Sequence, residues 1–186
     1  MQIGSANRVC ISVFMALILV LSSCNKTVKL TTDAVEDRAA VPTLDARDVV
    51  SLISDSGVVR YRLKAAVWQV YDVAEPPYWV FPEGIYLEKF NLKREADAFL
   101  EADYAYYDKN AELWHLVGNV KALNLEGERF ETPELWWSQK EERVFSDTTM
   151  SVYKQKMTIH GIGFESNQEM TKYTILHPTG IIPVKD

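Results

Sequence analysis

From Val58 onward the chain is written in short runs where apolar and polar residues alternate. The segment Leu113–Leu125 puts Trp114, Leu116, Val120 and Ala122 on one side, with Gly118 among them. His115, Asn119 and Lys121 fall on the other side, diluted by Leu113, Val117 and Leu123. A period of two marks a β-strand with one face turned to a core. The same reading predicts strands at Val58–Tyr71, Gly84–Asn91, Phe99–Tyr107, Leu113–Leu125, Glu128–Trp137, Arg143–Tyr153, Met157–Glu165 and Thr171–Leu176. Turn signals separate them, among them Glu75-Pro76-Pro77, Asp108-Lys109-Asn110, Glu126-Gly127 and Lys154-Gln155-Lys156. Regular spacing without a long helical pattern predicts an all-β fold, a sandwich or a jelly roll. Lys89–Leu100 has no clean three-and-four recurrence and reads as a loop leading into a strand. Pro42 to Leu52 carries at most a weak helical pattern, and Asn25 to about Ala40 reads as a polar, flexible tether.

The alternation also names an inner face. In Phe99–Tyr107 that face is Leu100, Ala102, Tyr104 and Tyr106. Leu135 and Trp137 point inward from Glu128–Trp137, and Val144, Met150 and Val152 from Arg143–Tyr153. Trp136 and Trp137 are adjacent, so they take opposite faces. This leaves two readings of the interior: a core packed shut, or a groove between two sheets that holds an apolar ligand.

The first residues follow a different pattern. Arg8 precedes an apolar run, Val9 to Leu21, which is shorter than the roughly 20 residues a membrane-spanning helix needs. A positive start, a short apolar run and small residues at its end mark a secretory signal. The end, Leu21-Ser22-Ser23-Cys24, resembles the lipobox of bacterial lipoprotein signals. We therefore expect 1–23 to be a cleaved signal, 24–44 an acylated N-terminus at Cys24 with a flexible linker, and 45–186 a β-domain. Cys10 would leave with the signal, and Cys24 would then be the one remaining cysteine, so no disulfide framework is available. Stability must come from an apolar core, which a domain of this length can supply.

Charge narrows the partners. Acidic residues outnumber basic ones 26 to 20, a net charge of −6. That excludes the basic stripe a nucleic-acid partner needs and leaves no polybasic patch for anionic lipid. Membrane attachment would have to come from acyl chains. The histidines His115, His160 and His177 share no metal-ligand spacing, and the first two are expected to face solvent. No two carboxylates stand out as a glycosidase pair, and no nucleophile sits in a recognisable elbow. Gly161-Ile-Gly163-Phe164 lacks the lysine and third glycine of a phosphate loop and reads as a bulge or tight bend. Neither an enzyme nor a cofactor or metal site is expected.

Several segments taken in order carry a resemblance. They are Leu100-Glu-Ala-Asp-Tyr-Ala-Tyr-Tyr-Asp108, Leu113-Trp-His-Leu-Val-Gly-Asn-Val120, Gly127-Glu-Arg-Phe-Glu-Thr-Pro-Glu-Leu-Trp-Trp137, Val144-Phe-Ser-Asp147 and Met157-Thr-Ile-His-Gly-Ile-Gly-Phe-Glu-Ser166. Upstream, Ser54-Asp55-Ser56-Gly57, Tyr61-Arg62-Leu63 and Phe81-Pro82-Glu83-Gly84 fit the same set. Together they resemble the LptC family of lipopolysaccharide-export components, in its lipoprotein-anchored, Bacteroidetes-type branch. Pro133 departs from the pattern, which has an acidic or polar residue there.

The resemblance implies a twisted, partly open β-jelly roll, V-shaped in section, with lipid chains between its walls. It implies lipopolysaccharide as ligand, taken from the permeases of an inner-membrane ABC transporter. The ligand would pass to an LptA-like periplasmic bridge protein of the same fold, joined by edge-strand pairing. The trough candidates are then Leu100, Ala102, Tyr104, Tyr106, Leu116, Val120, Leu135, Trp137, Val144 and Val152. Gly161 and Gly163 fall at the bridge-facing end. The implied location is the periplasm, on an acyl anchor in the inner membrane. The alternative is a structural or carbohydrate-binding β-sandwich lipoprotein of the outer membrane, with an exposed tryptophan as sugar platform.

Overall fold

Alternation of this kind is satisfied when strands pair into a sheet and one face of that sheet is covered. The computed structural model describes residues 37–55 and 57–183, and there the chain does both. The expected signal, Cys24 and most of the expected linker lie outside the described residues.

Among the described residues eleven strands form one antiparallel sheet. They are β1 (Leu44–Asp55), β2 (Val58–Tyr71), β3 (Tyr78–Phe81), β4 (Ile85–Phe90), β5 (Ala96–Ala102), β6 (Tyr104–Asp108), β7 (Leu113–Leu123), β8 (Arg129–Ser138), β9 (Arg143–Tyr153), β10 (Met157–Asn167) and β11 (Tyr173–Pro183). The register shows that β3 and β4 pair with successive parts of β2, and that β5 and β6 pair with successive parts of β7. Each pair is one long strand broken in the middle, so the chain is a meander of long, adjacent rows.

The breaks line up. Asp48 of β1 lies between pairs that leave it facing Ala66 of β2, and Ala66 faces Gly84 between β3 and β4. Next come Asp103 between β5 and β6, the bulge at Gly118 and Asn119 in β7, Pro133 in β8, and Gly163 in β10. Asp48, Gly84, Gly118, Asn119 and Gly163 all have positive φ. A bulge bends its strand and sharpens its twist. A row of them across neighbouring strands creases the whole sheet.

At the centre of the crease the Asp103 N–H donates to the Gly118 carbonyl (3.0 Å), and the Asn119 amide donates to the Asp103 carboxylate (2.7 Å). The positive φ of Gly118 favours glycine, and a Cβ there would lie 2.8 Å from that carboxylate, which would have to move. Pro133 has no N–H to give the ladder. The Glu134 carbonyl beside it accepts instead from the Ser146 hydroxyl (2.8 Å) and the Thr132 hydroxyl (3.0 Å), both buried.

The crease makes two walls from one sheet. The first wall holds β3, β6, 113–117 of β7, 134–138 of β8, 143–146 of β9, 164–167 of β10 and the start of β11. The second holds β4, β5, 120–123 of β7, 129–132 of β8, 149–153 of β9 and 157–161 of β10. The core lies between them: Phe81, Ala105, Trp114, Leu116, Leu135 and Phe164 from the first, and Leu63, Ile85, Val120, Phe130, Met150 and Val152 from the second. This is an all-β, jelly-roll arrangement, as the alternation and the resemblance led us to expect.

Two expectations are corrected. Pro42 to Leu52 is not weakly helical: Leu44–Asp55 is a strand. Among the described residues it pairs on one side only and keeps both faces half open, so it needs no strict alternation. Phe99–Tyr107 is not one strand, because Asp103 interrupts it and reverses which face looks inward. The short β3 was not foreseen at all, since four residues after a proline pair are too few to show a period.

Candidate functional site

The space between the walls is the candidate site. Of the trough candidates, Ala102, Leu116, Val120, Leu135, Val144 and Val152 are buried there. Leu100 and Trp137 are half-buried against the same core. Trp137 stacks on Trp114, with ring centroids 6.1 Å apart.

Tyr104 and Tyr106 do not belong to this set. After the break at Asp103 it is Ala105 that is buried and Tyr107 that packs on the core. Tyr104 and Tyr106 pair with Val117 and His115 on the outer face.

Sequence reasoning also missed Tyr61, Leu87, Phe81 and Phe130 as lining or core residues. The alternation of Leu63, Ala65 and Val67 in β2 and of Ile85 and Leu87 in β4 was the signal that could have found part of them.

The two walls differ in chemistry. The first is aromatic: Trp79, Phe81, Tyr107 and Trp114 form a contiguous group, with Tyr107 4.6 Å from Trp114 and Phe81 5.8 Å from it. Burial pushes the Tyr107 hydroxyl pKa up, as expected for a phenol beside an apolar core. Facing this group, the second wall presents the aliphatic side chains of Leu63, Ile85, Leu87 and Leu100. A cavity of about 170 Å³ lies between them, lined by these leucines, Tyr61, Trp114, Trp137 and Gln168. A neighbouring cavity of about 110 Å³ continues along Leu100, Ala122 and Leu135 as far as Asn124 and Met170. Both are largely apolar, with Gln139, Gln168 and Lys89 at their margins.

The outer face carries a ladder of rings instead. Tyr71 stacks on Tyr78 (4.6 Å) and Tyr78 on Tyr106 (5.2 Å). His115 lies flat on Trp136 at 3.8 Å, and Phe145 lies parallel to Trp136 at 6.3 Å. Trp136 thus packs between the rings of its two neighbouring strands. The geometry is cross-strand packing and gives the carbohydrate platform no support.

His115 and His160 are half-buried rather than simply solvated. His115 Nε2 meets the Glu134 carboxylate at 2.5 Å, and His160 Nδ1 meets the Ser151 hydroxyl at 2.8 Å. Among the described residues no three metal-ligating side chains come together.

Gly161 and Gly163 sit where β10 shifts register against its neighbours. Positive φ belongs to Gly163 and not to Gly161. Gly161 is required by closeness: a Cβ there would lie 2.2 Å from Ile175 and 2.8 Å from the His177 carbonyl.

At the two ends of the sheet, β1 pairs only with β2 and β11 only with β10 among the described residues. Val50 is 65% and Leu52 59% exposed on β1, and Ile181 is 63% exposed on β11. No helix among the described residues is long and apolar enough to cross a membrane.

In comparison with known proteins, the family described as "Lipopolysaccharide-assembly, LptC-related" matches residues 11–179. No curated protein matches the chain.

Proposed function

This chain belongs to the LptC family, whose members serve lipopolysaccharide transport on its periplasmic side, and from that premise we propose that the space between its two walls holds lipopolysaccharide acyl chains in transit. The observation that carries the reading is the apolar interior: cavities lined by Trp114, Leu135 and Trp137 on one wall and by Leu63, Ile85, Leu87 and Leu100 on the other. Acyl chains crossing an aqueous space need such cover, because each methylene kept from water is worth about 0.8 kcal/mol.

The finer steps follow from the ends of the sheet. An unpaired edge offers backbone donors and acceptors to a neighbour's strand. In this reading β1 takes the ligand from permeases of an inner-membrane ABC transporter, and β11, with Gly161 and Gly163 behind it, meets an LptA-like bridge protein. The transporter supplies the energy, so this chain needs no cofactor. Acylation at Cys24 tethers it to the inner membrane.

The test is a photo-crosslinking residue placed at Trp137 or Leu100 in cells. Capture of lipopolysaccharide there, with none at the outer position Phe145, supports the reading. Equal capture at all three, or none at any, refutes it. The anchor is tested separately. Cys24→Ala should give a protein of lower mass that leaves the membrane fraction, and an unchanged mass and membrane fraction would refute acylation.

A further inference from the structure

The hairpin turns along the two free rims meet at one place. Asn124, in the β7–β8 turn on the second wall, is 3% exposed. Its amide donates across the opening to the Met170 carbonyl (2.9 Å), in the β10–β11 turn of the first wall. The rest of Asn124 holds its own turn: Oδ1 accepts from the Glu126 and Glu128 N–H groups, and Nδ2 also reaches the Glu128 carboxylate. Met170 turns inward, 7% exposed. A second rung lies beside it, where Lys154 pairs with Glu128 (2.8 Å) while its ammonium sits 4.9 Å from the Tyr173 ring across the gap.

The interior changes at this clasp. On the β2–β7 side both cavities lie open between the walls, and the second ends against Asn124 and Met170. On the other side Phe130, Phe164 and Tyr173 fill the space, with centroids 5.1 to 5.7 Å apart.

Resting on the lipid reading above, we propose that acyl chains enter sideways in front of β2–β7 and reach β10 and β11 only when the Asn124–Met170 clasp releases. The clasp is built to be releasable. The rims are crossed by the Asn124–Met170 hydrogen bond and the Lys154–Tyr173 contact alone among the interactions described above, Met170 holds a positive φ that its side chain disfavours, and its thioether arm can repack easily. Phe130 and Tyr173 would then swing aside as the walls part.

The test uses the full chain in cells. Cysteines at Leu125 and Glu169, one on each rim, are bridged with a short bis-maleimide, and the single-cysteine variants serve as unbridged references. A photo-crosslinking residue sits either at Trp137, in the open part, or at Ile159 on β10, beyond the clasp. Bridging should lower lipopolysaccharide capture at Ile159 severalfold and leave capture at Trp137 unchanged. Asn124→Ala should do the opposite, raising capture at Ile159 relative to Trp137. A melt shows whether that variant stays folded, and if it does not, the bridging arm decides alone. Unchanged capture at both positions after bridging overturns the gate but leaves the lipid reading intact. Absence of capture at both positions in the unbridged protein overturns the lipid reading, and the gate with it.

Discussion

The β2–β7 part of the interior and the β8–β11 part share one sheet, one alternation and one crease, yet they are filled differently. In the first, Phe81, Ala105, Leu116 and Val120 are enclosed, but Tyr61, Leu87 and Leu100 are only half-buried around cavities that Trp137 of β8 also lines. In the second, Phe130, Met150, Val152 and Phe164 are almost wholly enclosed and the rims are clasped. Alternation decides which side chains face inward. Whether they fill the space depends on how closely the walls approach, and that is set by the turns on the rims.

The largest test of this contrast is stability. Phe164→Ala should cost about 3–5 kcal/mol, since it empties a packed site. Leu100→Ala, beside an existing cavity, should cost less than about 2 kcal/mol, at the low end of such truncations. Urea denaturation of both variants measures the gap, and equal losses would erase the distinction between the two parts.

A charge sharpens the same contrast through binding. Leu100→Asp should abolish lipopolysaccharide capture in a protein that circular dichroism shows to be folded, because an acyl chain would meet an unpaired charge. Tyr104→Asp, on the outer face, should leave capture as it was. Loss in both, or in neither, would mean that the inner face is not the binding face.

Gly161 probes the far end. Gly161→Ala should loosen β10 from β11 and lower stability by about 1–3 kcal/mol, through contact with Ile175 and the His177 carbonyl. Gly161→Arg should cost more. A melt unchanged by either would show that β11 yields freely.

The smallest effect is that of pH. The carboxylate of Glu128, then Tyr173, holds the Lys154 pKa above its ordinary 10.5, and burial holds that of Tyr173 above 10.0. Both groups keep their protons more firmly folded than unfolded. Their contribution is complete below the ordinary values and is lost as pH climbs through the raised ones. The melting temperature should therefore fall as pH rises past about 10, and Lys154→Gln should flatten the fall.

Much of this was legible in the sequence, and the rest was not for identifiable reasons. β2 and β9 run from Val58 to Tyr71 and from Arg143 to Tyr153, as the pattern indicated, because both are paired on two sides and covered on one face. Leu135, Val144 and Val152 are inward for the same reason. Tyr104 and Tyr106 were misplaced because a break at one aspartate inverts every later side chain in the row. β1 stayed hidden because an edge strand can be exposed on both faces. The clasp had no signature at all: Asn124 reads as a turn residue and Met170 as an ordinary apolar one, and only the fold brings them together.

The bend of the sheet is drawn by Asp48, Gly84, Gly118, Asn119, Pro133 and Gly163, and none of them belongs to the core cluster between the walls. The shape of the container is thus written at positions separate from those that write its contents. Residues such as Leu87, Leu100 and Trp137 can be exchanged to suit longer, shorter or more branched cargo without redrawing the fold. A single change on the crease would instead alter the angle for every cargo at once.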